Sequence, residues 1–333
     1  MTDGAELGLG LQGNKAPADY VELGRLAEGF GFDVVTVFND LGFQPALHPL
    51  LLIARSTERV RLGPACLNPY TLHPVEIAGQ VAALDAASEG RAYLGLAKGA
   101  WLDSLGLEQR RPLTALREAA AIVRLLLRGD TTGFSGERFS LASGIGLHYD
   151  VLRPDPPLLI GTWGERTAAW AGEAADEVKI GGTANPLMVA RVREWVERGG
   201  RAAGRGGRGA GIVVGAVTVV DEDGAAARAR ARAEVAMYLA VVAEHDPTVE
   251  LPAALVAEIG RLADAGRHEA AGALIPDETL DRFAFSGTPA AVAAQAELLF
   301  AAGARRVEFG TPHGLTDRRG IELLGSRVLP HFR

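Results

Sequence analysis

Eight short, almost continuously apolar runs recur along this 333-residue chain, with helical patterns between them. They are Leu7–Gln12, Val34–Phe38, Val60–Cys66, Ala92–Ala97, Leu158–Gly161, Glu177–Ile180, Ile212–Val220 and Val307–Gly310. Strands that are apolar at nearly every position are buried on both faces, as in a parallel sheet covered by helices. The first intervening helix, Ala16–Phe30, repeats Leu23, Leu26, Ala27 and Phe30 at helical spacing and stops at Gly31. Another opens at Pro74 and carries Ile77, Val81 and Leu84; a last one follows Thr288-Pro289, buries Val292, Ala296 and Leu299 and ends at Gly303. Eight strands alternating with helices predict a (β/α)8 TIM barrel over residues 1–333, not an open doubly wound sheet.

Two intervals are too long for a single helix. Between the fourth and fifth strands the sequence predicts a helix over Leu113–Leu127 and then a turn-rich piece, GDTTGFSGERFSL, suited to a hairpin. Between the seventh and eighth strands, Ala225–Leu239 and Pro252–Ala265 read as helices, so residues 221–285 are expected to form a helical insertion over one end of the barrel. The Gly-rich basic stretch Arg198–Gly209 reads as a flexible loop, with an anion-binding patch as the alternative.

A net charge of −7 and the lack of a basic run interleaved with aromatics argue against a nucleic-acid partner. One cysteine, Cys66, rules out an intramolecular disulfide and gives no cysteine-based metal site; His, Asp and Glu show no metal-ligand spacing, so no metal is expected. The N-terminal residues lack the basic and apolar regions of a signal peptide, and no apolar run is long enough to span a bilayer. The expectation is a cytoplasmic protein acting on a small molecule, away from membranes.

In such barrels ligands bind where the strands end. The residues just past the strands are polar and glycine-rich: Gln12-Gly13-Asn14, Asn39-Asp40, Asn68-Pro69-Tyr70, Lys98-Gly99-Ala100-Trp101, Thr162–Arg166, Gly181-Gly182-Thr183 and Thr311-Pro312-His313. Such a rim suits a planar, polyoxygenated or phosphorylated cofactor. Arg61–Pro74, RLGPACLNPYTLHP, runs from a strand into a corner stiffened by three prolines, a good wall for a planar ligand. In IGTWGERTAAWAG a strand meets a Gly-containing turn and then a helix, an arrangement that offers free N–H groups to a phosphate or is an ordinary βα turn. Asp40 reads as an acid–base group, a cap or a salt-bridge partner, and His73 as a cap or a ligand contact. Lys98 and Lys179, two of three lysines, both lie at strand ends, where Lys179 reads best as a salt-bridge partner.

With these motifs the chain resembles the luciferase-like barrel superfamily, and within it the F420-dependent branch typified by methylenetetrahydromethanopterin reductases. The resemblance rests on GLGLQGN, ERVRLGPACLNPYTLHP, LDAASEGRAYLGL, IGTWGERTAAWAGEAADEV, TANP and the tail from AFSGTPAAVAAQ to IELLGSRVLPHF. It implies coenzyme F420 (8-hydroxy-5-deazaflavin), with FMN as the alternative, and a homodimer. It places a non-proline cis peptide at Ala65–Cys66, forming a bulge behind the deazaflavin ring. Asn39, Asn68, Gly161, Thr162, Trp163, Gly164, Glu165, Arg166, Gly182 and Thr183 become cofactor contacts.

There are departures from the family pattern. The usual Asp-His after the second strand is Asn39-Asp40; the acidic residue after the fourth is replaced within Lys98-Gly99-Ala100-Trp101; a first-strand glutamate corresponds to about Gly10. Asp40 and Lys98 are then the catalytic candidates, as carboxylate and as proton donor or anion clamp, with Trp101 and His313 facing substrate. The implied reaction is hydride transfer between the deazaflavin C5 and a small organic molecule, a pterin-like C1 carrier or a biosynthetic intermediate. An FMN-dependent monooxygenase and a non-catalytic ligand-binding barrel are the alternatives.

Overall fold

The computed structural model describes residues 4–205 and 209–333. Eight parallel strands form the barrel: β1 (Glu6–Leu11), β2 (Val34–Phe38), β3 (Arg61–Ala65), β4 (Leu94–Ala97), β5 (Leu158–Gly161), β6 (Glu177–Gly181), β7 (Gly211–Val220) and β8 (Arg306–Gly314). They pair in the order β3-β2-β1-β8-β7-β6-β5-β4. The parallel bridges Leu62–Ala92 and Leu67–Leu96 join the two ends of that order. The TIM barrel read from the alternation is therefore the observed fold.

Helices α1 (Pro17–Phe30), α2 (Leu47–Ser56), α3 (Pro74–Ala87), α4 (Pro112–Leu127), α5 (Glu165–Ala174) and α6 (Pro186–Ala202) follow the first six strands in turn. Their starts are encoded locally. Pro stands at the first turn of α1, α3, α4 and α6, where its missing N–H costs nothing. His73 Nδ1 accepts from Val75 N at 3.3 Å, so this histidine caps α3. After α4 the hairpin is present as two-residue strands, Phe134–Ser135 and Ser140–Leu141.

Between β7 and β8 lie α7 (Gly224–Ala236), α8 (Leu239–Ala243), α9 (Ala253–Asp264), α10 (His268–Gly272) and α11 (Asp277–Phe283). They bury a core of their own, including Ala231, Val235, Leu239, Ile259 and Phe283, which reaches the barrel at Val219. A short strand the sequence reading missed, Ala284–Gly287, pairs in parallel with the last four residues of β7. Helix α12 (Pro289–Ala302) then leads into β8, and α13 (Asp317–Leu323) follows it.

The stretch read as a loop, Arg198–Gly209, is different in part. Arg198–Ala202 is the last turn of α6, and Arg205 Nη1 donates to the carbonyls of Gly172 and Ala175 at 3.1 and 2.7 Å. Residues 206–208 lie outside the described residues.

The main apolar core lies between the barrel and its helices. The barrel interior is unusual: charged side chains fill much of it. Arg306 and Glu308 point inward from β8, and Glu177 and Lys179 from β6. Arg306 bonds Glu177 at 2.6 Å and Glu308 at 2.9 Å, and Glu308 pairs with Lys179. Below them Arg61 pairs with Glu6 at 2.5 Å. Glycines on facing strands leave room for such bulk. A Cβ on Gly8 would sit 3.0 Å from Glu308 Cγ, and one on Gly10 2.5 Å from Phe38 Cζ.

Candidate active site

Side chains alternate along a strand, so the inward residues of β2 are Val34, Thr36 and Phe38, and the next on that face is Asp40. The contacts bear this out. Val34 packs with Tyr93, Leu159 and Val213 in the barrel interior; Thr36 Oγ1 lies 2.7 Å from Tyr93 Oη; Lys179 Nζ lies 5.5 Å from the Phe38 ring centroid. Asp40 is thus carried to the mouth of the barrel, where Gln12 Nε2 donates to its Oδ2 at 2.9 Å. Burial raises the Asp40 carboxyl above its ordinary value; the Gln12 hydrogen bond and the Lys179 charge oppose that rise.

Beside Asp40 the chain leaves β3. The Ala65–Cys66 bond is cis, as the resemblance placed it. The backbone bulges toward β4 and β5: a Cβ on Gly95 would strike the Pro64 carbonyl, and one on Gly161 would lie 2.9 Å from Cys66 Sγ. Burial pushes the Cys66 thiol up to about 12, so it stays protonated. Asn68, buried, folds its side chain back: Oδ1 accepts from the N–H groups of Tyr70 and Thr71 at 3.1 and 3.0 Å, and Gly99 packs against its amide. This Asx turn fixes the corner.

Across the mouth, β5 delivers Gly161 and Thr162. Thr162 Oγ1 accepts from Gly164 N at 3.0 Å, and Trp163 Nε1 donates to the Gly181 carbonyl at 3.1 Å, tying the turn to the end of β6. Gly164 caps α5 with no side chain to receive its first-turn N–H groups, which leaves them for an anion. Glu165 is exposed and pairs with Arg198 at 2.5 Å; Arg166 is exposed. Gly182 has φ +79°, a conformation glycine adopts freely, and Tyr238 and Val242 of the helical insertion press against it. Thr183, buried, donates to the Arg282 carbonyl at 3.2 Å. Asn185 Nδ2 reaches Asp246 Oδ2 at 2.9 Å and Thr248 Oγ1 at 2.7 Å. The insertion therefore braces the loop after β6.

Other expected residues sit differently. Asn39 Oδ1 accepts from Ala46 N at 3.0 Å, closing the loop that leads to α2. Lys98 is exposed, and its ammonium makes no ion pair among the described residues. Trp101 is 48% exposed at φ +56°, held there by Ser104 Oγ donating to its carbonyl at 2.6 Å. His313 was expected to face substrate; instead it is 0% exposed. Its Nε2 lies 3.1 Å from the Gly10 carbonyl and its Nδ1 3.2 Å from Asp317, which Lys15 also grips at 2.6 Å. It ties β8 to β1 and α13 and has no surface to offer a ligand. Lys179 is no rim residue either but lies inside, 6% exposed at its side chain.

Sequence reasoning did not single out Gln12 or Glu308. Glu308 carried a signal: Arg306 and Glu308 lie two apart in an otherwise apolar strand, which puts both charges on one face. Among the described residues no group of three or more His, Cys, Asp or Glu side chains is arranged to hold a metal, and no helix is long and apolar enough to cross a membrane.

A sequence model of the luciferase-like monooxygenase family matches residues 3–306. A 5,10-methylenetetrahydromethanopterin reductase from Methanolobus tindarius is 28% identical over 311 residues, covering 92% of this chain and 94% of that protein. An F420-dependent glucose-6-phosphate dehydrogenase from Rhodococcus hoagii is 26% identical over 355 residues, covering 100% of this chain and 99% of the relative. The solved structure of the coenzyme F420 dependent tetrahydromethanopterin reductase from Methanopyrus kandleri superposes with a TM-score of 0.87 at 24% identity, covering 99% of this chain and all of the other.

Proposed function

This chain belongs to the luciferase-like monooxygenase family, and we propose that within it the protein is an F420-dependent oxidoreductase, moving a hydride between C5 of the deazaflavin and a small organic substrate. The observation that carries this reading is the shape of the mouth. A rigid bulge at Ala65–Cys66 stands on one side, and on the other the helix α5 opens with N–H groups that no side chain caps. A planar ring with an anionic tail fits that pair of features, and a full-length relative named for F420 supports the choice over FMN.

Bound there, the deazaflavin would supply the hydride chemistry, and the protein binds, orients and manages one proton. The Thr162–Arg166 turn and Gly182 would hold the tail. Thr183, 0% exposed and bonded to the Arg282 carbonyl, supports the Gly182 loop and is not a cofactor contact. Asn68 would steady the corner beside the ring. Asp40 handles the proton; Lys98 and Trp101, both exposed at the mouth, contact substrate. The substrate is a pterin-like C1 carrier or a biosynthetic intermediate, and the working form is a homodimer.

Fluorescence titration with F420 and with FMN tests the cofactor. Saturable F420 binding supports the reading; tight FMN binding with none to F420 would overturn it. If F420 binds but reduced cofactor is never oxidised across a broad substrate panel, a non-catalytic ligand-binding barrel replaces it.

A further inference from the structure

We propose that Lys179, clamped by Glu308 inside the barrel, is a positioning residue that keeps Asp40 as a carboxylate at the mouth, ready to accept a proton. Lys179 Nζ lies 5.5 Å from the ring centroid of Phe38, the last residue of β2, and Asp40 follows two residues later in the chain, just past the end of that strand. Lys179 is nearly buried, and an ammonium removed from water is costly unless other charges compensate it. Its direct partner is Glu308, but that carboxylate is divided: Arg306 Nε takes the other oxygen at 2.9 Å. Arg306 is itself paired with Glu177 at 2.6 Å, so the charges alternate along the interior and Lys179 is the cation nearest the mouth.

Few other groups face this ammonium. Phe38 on β2 contributes its ring face. Cys66 after β3 is within electrostatic reach, but its thiol stays protonated and carries no charge. Tyr93, just before β4, lies deeper, bonded to Thr36 and to the Gly63 carbonyl at 3.1 Å, and burial holds it neutral as well. Asp40 is the charged group on the mouth side of Lys179, within reach of its field. Gln12 on β1 donates to Asp40 and stabilises the ionised form in the same sense. The arrangement runs as one column: Glu177, Arg306, Glu308, Lys179, Asp40, alternating in sign from the closed end of the barrel to its mouth.

In the reading proposed above, on which the catalytic part of this inference rests, Asp40 would accept the proton of a substrate oxidised at the mouth, and a bound oxidised deazaflavin would supply the hydride acceptor. Both hydrogens are then accounted for, one on the cofactor and one on the carboxylate. Lys179 touches neither; it acts through Asp40.

The test is the titration of Asp40 itself, followed by NMR of the full chain labelled with carboxyl-13C aspartate and assigned by the loss of one resonance in Asp40→Asn. Lys179→Met should raise the Asp40 midpoint by about one pH unit, a tenfold change in proton affinity. Lys179→Arg, which keeps the charge, should leave it nearly unchanged. Lys179→Met removes one of the two cations paired with Glu308, so Lys179→Met combined with Glu308→Gln provides an uncharged pair that packs in the same space; its Asp40 midpoint should rise too. An unmoved midpoint in either folded variant, or the same rise with Lys179→Arg, would overturn the proposal. F420 titration of the wild-type protein reads the cofactor assignment separately. Failure there removes the catalytic role but leaves the coupling between Lys179 and Asp40 to be judged on its own titration.

Discussion

Gly161→Ala puts the packing at the mouth to a quantitative test. The new methyl would lie 2.9 Å from Cys66 Sγ and 3.2 Å from Ala97 Cβ, where ordinary contact needs about 3.5–4.0 Å. The bulge after β3 must therefore shift by several tenths of an ångström or more. Overpacking of this kind costs about 1–3 kcal/mol, and replacing glycine where φ is unremarkable returns about 0.4–1 kcal/mol through the unfolded chain. The net loss should be about 1–2 kcal/mol. With an unfolding entropy of about 2.1 cal/mol/K per residue, a chain of this length has roughly 0.7 kcal/mol/K, so Tm should fall by about 1.5–3 °C. In a Cys66→Ala background the sulfur is gone and most of the clash with it, so the same substitution should cost about 1 kcal/mol less, a coupling read by a double-mutant cycle of thermal unfolding. If Gly161→Ala costs as much in the Cys66→Ala background as in the wild type, the methyl does not meet the thiol and the described mouth is wrong. The same variants, titrated with F420, should show weaker binding for Gly161→Ala and recovery in the double variant.

Asp40→Asn should lower turnover by about 10²–10⁴ while changing F420 affinity little, as expected when a proton-handling group is lost; unchanged turnover would remove Asp40 from the chemistry. Burial alone would raise the Glu308 carboxyl, but Lys179 and Arg306 outweigh it and leave it lowered. The unfolded chain then binds that proton more readily, so its contribution to stability is complete above the ordinary carboxylate range and lost as the pH falls below it. Urea midpoints measured across that range should fall less steeply in Glu308→Gln, and identical slopes would contradict the pairing. Asn185→Ala removes both hydrogen bonds to the insertion and leaves Asp246, 2% exposed, without that donor. It should cost about 1–3 kcal/mol and speed proteolysis between α8 and α9, and an unchanged cleavage rate would show that the brace lies elsewhere.

The barrel was legible because its strands are short, mostly apolar and separated by helices with evident starts. What escaped did so for physical reasons. Ala284–Gly287 spans four residues and reads as the end of a helical stretch; pairing with distant Val217–Val220 makes it a strand. Gly199 and Gly200 suggested a flexible loop but lie inside α6, because a side chain at Gly199 would strike the Ala169 backbone of α5. They are there for close helix packing. At the mouth, Asp40 and Asn68 could be named as candidates because they lie just past the ends of β2 and β3. His313 misled for the same reason: β8 continues past Gly310, and the ring turns inward to Gly10. The Lys179–Glu308 pair joins residues 129 apart in sequence, a distance no local pattern reports.

A TIM-barrel interior is ordinarily layered with branched aliphatic side chains. Here a set of buried ions occupies it, and stability does not explain that choice. Replacing buried ion pairs by apolar groups of similar volume is often neutral or stabilising by about 1–4 kcal/mol, because desolvation offsets most of the attraction. Two of the atoms involved, Glu177 Oε2 and Arg306 Nη2, even lack a hydrogen-bond partner among the described residues. A column that adds little to stability must be weighed by what its ends do. The lower end joins Arg61 and Glu6 near the start of the barrel, where no candidate ligand group lies. The upper end is a fixed ammonium beneath Asp40, at the mouth where the bulge and the α5 N-terminus converge. An apolar core would fill the same space and leave the Gln12 hydrogen bond as the opposing influence on the burial that favours the protonated form of Asp40. The charge of the core is therefore better understood as electrostatic preorganisation of the mouth than as part of what holds the barrel together.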